Sequence, residues 1–239
     1  MIKRKTIRKA KRTSLPPDGS GGGQPEKLSQ QLDHNTKRLQ ELFNDCYDVT
    51  YRFFQIGEKQ NAALIFINGL IKMEEVNEHL LTPLMENPPS HDHGKKNGLS
   101  LLLTQKIPVA AVKEIHSLPD VTQEILSGQP VLLLDGETSA LSFNLRTEEK
   151  RAIEEPSSES NIRGPRDSFL ESLDVNTTIL RQRIKSHQLK MKLYKIGRYT
   201  KTNVVVAYME GLADPTLPEE IHNRLMHIDI DGIVDAGYI

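Results

Sequence analysis

An internal repeat is the feature of this sequence that most constrains the fold. The octamer LDHNTKRL at residues 32–39 returns as LDVNTTIL at residues 173–180, with Leu, Asp, Asn, Thr and Leu in the same places. Further along, Gly57 ends the motif FFQIG and Gly197 ends the motif LYKIG, at an offset of 140 residues. Matches that recur in order at a nearly constant offset indicate a duplicated folding unit.

Each copy of the repeat has the same predicted order of elements: helix, strand, turn, strand, helix. An apolar run and a second glycine follow the first strand of each copy, in AALIFINGL at 62–70 and in VVVAYMEGLADP at 204–215. An amphipathic stretch with an acidic first turn then predicts a helix in both copies. We therefore expect an α/β protein of two duplicated α/β subdomains, each a small mixed β-sheet packed with helices.

The first copy contains elements for which the second has no counterpart. Residues 108–126 are predicted as one helix, or as two short helices divided at Pro119. The segment PVLLLDGETSALSFNL at 130–145 predicts two strands joined by a tight turn at Asp135 and Gly136. Because the second copy lacks this hairpin, we expect the chain to be a fragment whose last sheet has an unpaired edge.

Composition and breaker residues divide the chain into four predicted parts. They are a basic tail and flexible linker at 1–28, a first α/β subdomain at 29–150, a connector at 151–164 and a second α/β subdomain at 165–239, which we expect to be truncated at its C-terminus.

The tail and the composition bound the partners of the chain. Seven Lys and Arg lie in the first twelve residues, so the tail is either solvated or attracted to anionic lipid headgroups. The rest of the chain offers no basic surface studded with aromatic residues, and no nucleic acid is expected. Apolar runs of six residues are too short to span a bilayer, and a single Cys46 fits a reducing cytosol.

Catalytic and metal-binding patterns are weak throughout the sequence. His91 and His93 flank Asp92, but on a Gly- and Pro-rich loop without further ligands at metal-like spacing. The glycines at 19–23 are not followed by the Lys-Ser/Thr pair of a phosphate-binding loop. We therefore expect no catalytic residue, no metal and no cofactor, and the chain is not expected to be an enzyme.

A helix is predicted over residues 166–185, with an apolar stripe whose margins hold Asn176 and Thr177. Asn176 and its counterpart Asn35 are each expected to hydrogen-bond adjoining backbone within their own copy, because an unpaired buried polar group costs about 1–3 kcal/mol. The alternative is that Asn176 and Thr177 form the polar lining of a cleft between the two subdomains and contribute to binding.

Two arginines, Arg163 and Arg166, are expected beside the N-terminus of that helix, which Pro165 would begin. Cations are unfavourable at a helix N-terminus, so a negative group must offset them. The first hypothesis is a network of inter-domain salt bridges with carboxylates of the connector and the helix. The second is a bound anion, such as the carboxylate of an amino acid or a lipid phosphate, held by the two guanidinium groups and the helix N-terminus together. The connector carboxylates concerned are Glu154, Glu155 and Glu159.

Several motifs together resemble one protein family. The segment EEPSSESNIRGPRDSFLESLDVNTTILRQRIKS at 154–186 is similar to the signature of the A subunits of bacterial spore germinant receptors, the GerA-type family. The motifs YRFFQIG, AALIFINGL, NEHLLTPLM, QPVLLLDG and VVVAYMEGLADP are similar to that family in the same order. The resemblance covers roughly residues 29–239.

The resemblance implies the cytoplasmic N-terminal region of a membrane receptor subunit at the inner spore membrane. The implied partners are the B and C subunits of the same receptor, the membrane-spanning part of its own full-length chain and a small-molecule germinant. The implied role is nutrient sensing and signal coupling that triggers spore germination. The alternative is a non-sensing scaffold domain for receptor subunit assembly and clustering.

Overall fold

The computed structural model describes residues 25–57, 60–86, 112–145, 169–233 and 236–238. We call residues 25–145 the first half and residues 169–238 the second half. The helices of the first half are α1 (Leu32–Leu42), α2 (Met73–Val76), a π-helical turn (Asn77–Leu81), α3 (Thr82–Glu86) and α4 (Leu118–Leu126). Its strands are β1 (Val49–Ile56), β2 (Gln60–Ile67), β3 (Val112–Ile115), β4 (Val131–Leu134) and β5 (Ala140–Phe143). The second half has α5 (Leu173–Arg183), β6 (Leu189–Ile196), β7 (Thr202–Met209), α6 (Thr216–Met226) and a 3-10 turn (Ala236–Tyr238).

Two antiparallel sheets carry the fold. The first half contains a five-stranded sheet of order β1-β2-β4-β5-β3, and the second half contains the pair β6-β7. The α/β class with two duplicated units is confirmed. The strand pairings are antiparallel in both sheets rather than mixed. For the pairs β1-β2, β4-β5 and β6-β7 the cause is local, because only a few residues separate the two strands and a short connection can only return the chain in the opposite direction.

The interior strand β2 shows how the first half forms its core. Its side chains from Ala62 to Ile67 are all buried, and alternate residues enter two separate clusters. Ala63, Ile65 and Ile67 pack with α1 and α4 on one face, while the intervening residues pack with the helices of 73–86 on the other. A sheet covered on both faces requires such a continuous apolar strand.

The segment before α4 differs from the sequence prediction. Val112–Ile115 is a strand paired with β5, not part of a helix. The helix that follows begins at Leu118, where the Ser117 hydroxyl accepts a hydrogen bond from the backbone N–H of Asp120 at 3.3 Å. Pro119 lies in the first helical turn, where its missing N–H is not needed. It therefore starts this helix rather than dividing a longer one.

The repeat predicted from the sequence is present in the backbone. Helices α1 and α5 both have 11 residues, and each of the four hairpin strands β1, β2, β6 and β7 has 8. Gly69 and Gly211 follow the second strand of each copy, and both have φ +82, a conformation that favours glycine. The backbone N–H of the residue before each glycine donates to the carbonyl of the residue before the first strand of the same copy. Asn68 donates to Asp48 and Glu210 donates to Gln188, both at 2.8 Å.

Helix α5 begins later than the sequence predicts. Residues 169–172 are not helical, and the helix starts at Leu173. Phe169, expected on the apolar stripe, lies outside the helix with 68% of its surface exposed. The buried side chains of α5 are instead Thr177 and Arg181, one helical turn apart. The fully buried side chains of this helix are therefore polar, while Leu173 and Leu180 of the predicted stripe are partly buried.

Candidate functional site: the joint between the halves

The two halves meet where the segment Leu42–Val49 contacts the start of β6. The backbone N–H of Tyr47 donates to the carbonyl of Met191 at 3.1 Å, and the N–H of Met191 donates to the carbonyl of Asp45 at 2.8 Å. These bonds form an isolated parallel bridge between Cys46 and Met191. We call this contact, together with the contacts that α5 makes to the first half, the joint.

A buried ion pair lies at the centre of the joint. The Nε of Arg181 donates to Oδ2 of Asp48 at 2.8 Å, and its Nη2 donates to Oδ1 at 3.1 Å. The Arg181 side chain has no exposed surface, and that of Asp48 is 6% exposed. The guanidinium also donates to the carbonyls of Ser186 and Leu189. Planar bidentate pairing and further acceptors are what a buried arginine requires.

Two threonines of α5 extend the contact. The Tyr47 hydroxyl donates to Oγ1 of Thr177 at 3.1 Å, and the Thr177 hydroxyl in turn donates to the Asp174 carbonyl. Thr178 packs against Gly69, where an added Cβ would come within 2.1 Å of the threonine Oγ1. Thr177, Thr178 and Arg181 occupy positions i, i+1 and i+4 of the helix, within about 100° of one another around its axis. One face of α5 therefore contacts the first half.

A lysine from β6 ties the second half to the end of α1. Lys190 is 3% exposed, and its Nζ donates to the carbonyl of Leu42 at 3.1 Å. The same ammonium group lies 3.3 Å from the Glu210 carboxylate. A cation at the last residue of a helix satisfies a free carbonyl and the negative end of the helix dipole.

An open pocket of about 350 Å³ adjoins the joint. Its walls come from both halves, and it is largely open to solvent. Asp45 and Lys192 lie on opposite halves with 3.6 Å between carboxylate and ammonium, and both are partly exposed. The lining residues are Gln40, Phe43, Asn44, Asp45, Cys46, Tyr47, Tyr51, Met191, Lys192 and Leu193.

The lining of the pocket includes acids whose pKa is raised by burial, among them Cys46 and Tyr51. Burial raises the pKa of the Cys46 thiol. Burial, with a smaller contribution from Cys46, also raises the pKa of Tyr51 well above its ordinary value. The Tyr51 hydroxyl is buried and has no hydrogen-bond partner within the described residues. The groups that an entering molecule can reach are Asp45 and Lys192, which are partly exposed and can pair with groups of either charge.

Asn176 and Asn35 make the same pair of hydrogen bonds in the two halves. Asn176 accepts from the N–H of Leu170 at 2.7 Å and donates to the carbonyl of the same residue at 2.7 Å. Asn35 makes both bonds with Ser29, at 2.9 and 2.7 Å. Each asparagine fastens the residue six positions earlier, as the interpretation of adjoining-backbone contacts predicts. Thr177 does lie at the joint, but it is buried against Tyr47 and is absent from the lining of the pocket.

The remaining sequence-predicted site residues lie outside the described residues. They are Glu154, Glu155, Glu159, Arg163 and Arg166. His91 and His93 also lie outside the described residues. The predicted start of the helix near Pro165 needs correction, because α5 begins at Leu173. Within the described residues, no cluster of His, Cys, Asp and Glu could hold a metal ion.

Sequence reasoning missed Asp48 and Arg181. They are 133 residues apart, and their positions in the other copy hold Gln188 and Gln40, so the repeat gives no hint of a charged pair. One available signal was an arginine at an inward position of α5, four residues after Thr177.

In the part of the chain that the structure describes, no helix combines the length and hydropathy that crossing a bilayer requires.

Comparisons with known proteins agree on one family. A sequence model of the Bacillus/Clostridium GerA spore germination proteins matches residues 37–239. The chain is 37% identical over 220 residues to the uncharacterized membrane protein YfkQ of Bacillus subtilis (strain 168), covering 90% of this chain and 41% of that protein. It is 31% identical over 217 residues to spore germination protein KA of the same organism, covering 90% of this chain and 39% of that protein.

A solved structure has the same fold. It is the crystal structure of the N-terminal domain of the A subunit of the Bacillus megaterium spore germinant receptor GerK3, with a TM-score of 0.69 and 28% identity. The match covers 91% of this chain and 79% of that one. The chain spans about two fifths of the length of the curated relatives. Sequence motifs, duplicated fold and matched relatives together show that the chain belongs to the GerA family of spore germination proteins.

Proposed function

We propose that this chain is the cytoplasmic N-terminal region of a germinant receptor A subunit, and that it senses a small nutrient and couples its binding to germination. The observation that carries the proposal is the pocket at the joint, whose walls come from both halves. A molecule held between Asp45 and Lys192 contacts both halves at once. Its binding energy can therefore favour one relative position of the halves over another.

Titration calorimetry on the chain tests the sensing role, with L-alanine, D-glucose and potassium chloride as separate probes. Heat of binding to one probe, lost in the Asp45→Asn and Lys192→Met variants, supports a binding site in the pocket. Lys195→Met is the matched control, because Lys195 lies on the same strand, is exposed and does not line the pocket. Spores that carry the pocket variants at normal receptor abundance are expected to lose response to that probe alone.

The second candidate function is a scaffold that holds the B and C subunits and clusters receptors at the cytoplasmic face of the inner spore membrane. Exposed apolar side chains favour it, since several lie on the second half, including Leu212, Leu217 and Met226. In that case none of the probes gives heat, the pocket variants germinate normally, and variants of the exposed apolar residues lower receptor abundance for every germinant alike.

The connector is proposed to add ion pairs between the halves. Arg163 or Arg166 paired with Glu154, Glu155 or Glu159 would restrict their relative movement. If so, Arg163→Ala and Arg166→Ala weaken the response to every nutrient equally. A response that falls for amino acids and not for sugars points instead to an anion bound by the arginines.

A further inference from the structure

The connection from α1 to β1 is one residue longer than its counterpart from α5 to β6. Asn35 and Asn176 make the same hydrogen bonds and are 141 residues apart. Asp48 and Gln188 each precede a first strand and accept the same backbone hydrogen bond, but they are 140 residues apart. The two connections are residues 43–48 and 184–188. The first copy of the repeat therefore has an additional residue in the segment that contacts β6.

A tight turn with a left-handed residue accommodates the additional length. The N–H of Cys46 donates to the carbonyl of Phe43 at 3.1 Å and closes the turn Phe43–Cys46. Asp45, in this turn, has φ +55, a conformation that Asp tolerates better than most residues but that still disfavours a side chain. None of residues 184–188 has a positive φ. The left-handed turn is therefore a feature of the first copy and not of the repeat.

The left-handed turn is the part of the first half that bonds to the backbone of β6. The carbonyl of Asp45 accepts from the N–H of Met191 at 2.8 Å, and the N–H of Tyr47 donates to the carbonyl of Met191 at 3.1 Å. Rotation about φ of Asp45 moves its carbonyl and every residue that follows. A return of Asp45 to a negative φ would therefore redirect both groups away from Met191.

The same turn forms one wall of the pocket at the joint. Of the ten lining residues, five are the consecutive residues 43–47 and three are residues 191–193 of β6. The pocket therefore has both walls only while the turn keeps its shape and remains bonded to β6.

We propose that the turn Phe43–Cys46 is a conformational switch in which Asp45 is the strained residue. With Asp45 left-handed, the bonds between Tyr47, Met191 and Asp45 are formed and the joint is closed. With Asp45 at a negative φ, these bonds are broken and the pocket loses one wall. The backbone cost at Asp45 brings the two arrangements closer in free energy, and a small difference is what allows a ligand or partner to shift the balance. This switch belongs to the chain alone and does not depend on a nutrient binding in the pocket.

Hydrogen exchange of the Tyr47 and Met191 amides, measured by NMR on the chain without ligand, tests the proposal in Asp45→Gly, Asp45→Ala and Asp45→Val. All three variants lose the carboxylate and its pair with Lys192, so they differ mainly in backbone preference. We expect the two amides to exchange roughly five- to thirtyfold faster in the alanine variant than in the glycine variant, because only glycine adopts the left-handed conformation without cost. Exchange should be faster still with valine, whose β-branched side chain disfavours this conformation most.

Lys201 provides the matched control. It has φ +45 in the turn between β6 and β7 and does not line the pocket. Lys201→Gly and Lys201→Ala should differ in overall stability and leave the ratio of exchange rates between the Tyr47 amide and the amides of β2 unchanged. The amides of the interior strand β2 report global unfolding, because they open only with the core.

Two results overturn the proposal. If the Tyr47 and Met191 amides exchange at the same rate in the glycine and alanine variants of Asp45, the left-handed turn does not govern the contact. If the amides of β2 change by the same factor as those of Tyr47 and Met191, the substitutions act on global unfolding and there is no local switch. The comparison of glycine with alanine is sufficient if the valine variant does not fold.

Discussion

At the scale of single residues, Asn35 and Asn176 make the same hydrogen bonds but should contribute differently to the free energy of unfolding. Asn35 is 4% exposed, whereas the bonds of Asn176 lie at the surface. We expect Asn35→Ala to lower the free energy of unfolding by about 1–3 kcal/mol, because it leaves buried backbone groups unpaired. Asn176→Ala is expected to cost less, since water can replace the amide. Urea unfolding of both variants measures the difference, and equal losses would contradict it.

The two acids of the pocket predict a loss of stability in alkali. Burial raises the pKa of Cys46 and of Tyr51 in the folded state, so the folded protein retains protons that the unfolded chain releases. This stability is fully present below the unfolded pKa values, about 8.5 for Cys and 10 for Tyr, and is lost as the pH rises through the folded values. Chemical unfolding between pH 7 and 11 should show the decline.

Substitution separates the two contributions. Cys46→Ala should remove the part of the decline that begins near pH 8.5, and Tyr51→Phe should reduce the part that begins near pH 10. Burial also raises the pKa of Tyr47 and of Tyr208, so a decline that is unchanged in the double variant of Cys46 and Tyr51 would assign it to those two tyrosines.

At the scale of elements, the two glycines that follow β2 and β7 form a matched pair. Both have φ +82, so alanine at either position costs about 1–2 kcal/mol of backbone strain. Only at Gly69 does the new Cβ meet Thr178, because nothing lies within 4 Å of that position at Gly211. We expect Gly69→Ala to lower the melting temperature more than Gly211→Ala does.

The double variant with Thr178→Ala tests this cause. It should recover the excess loss of Gly69→Ala and leave the strain that both glycine variants share. Equal melting temperatures for Gly69→Ala and Gly211→Ala would mean that Thr178 and α5 move away from the new Cβ without a loss of stability.

Elements with strong local signals were predictable, and elements set by distant partners were not. The hairpin of β4 and β5 follows from an apolar run, an Asp-Gly turn and a second run. The four residues of β3 carry no such pattern, and their pairing with β5 decides their structure. The start of α5 was misplaced because Pro165 is suited to a first helical turn, whereas the chain begins the helix at Leu173. A permitted helix start is therefore not a required one.

At the scale of the whole molecule, the Asp48–Arg181 pair should make the halves unfold together. Arg181→Met removes one partner and leaves a buried carboxylate, which costs about 3–5 kcal/mol. We expect the parent chain to unfold in a single calorimetric transition. We expect the Arg181→Met variant to unfold in two, with the smaller second half unfolding first. The double variant Asp48→Leu with Arg181→Met should recover part of the loss. Recovery is incomplete because the carbonyls of Ser186 and Leu189 also lose their donor.

Lys185→Met is the control for this experiment, because Lys185 closely follows the same helix and is exposed. It should keep a single transition. Two transitions in the parent chain would show that the pair does not unite the halves.

The repeat, the two hairpins and the family could be recognised from the sequence, but the joint could not. Repeated motifs report what each copy does within itself, and Asn35 and Asn176 are examples. The joint depends on residues that differ between the copies, such as Arg181 opposite Asp48, where the equivalent positions hold Gln40 and Gln188. A repeated sequence therefore predicts the units well and their contact poorly.

The separation of Asp48 and Arg181 along the chain has a consequence during protein synthesis. The two residues are 133 positions apart, so at about 5–20 residues per second the ribosome adds Arg181 roughly 7 to 27 s after Asp48. Domains fold on a shorter timescale than this. The first half can therefore complete its sheet while Asp48 still faces water, and the emerging helix then finds a carboxylate already fixed in place.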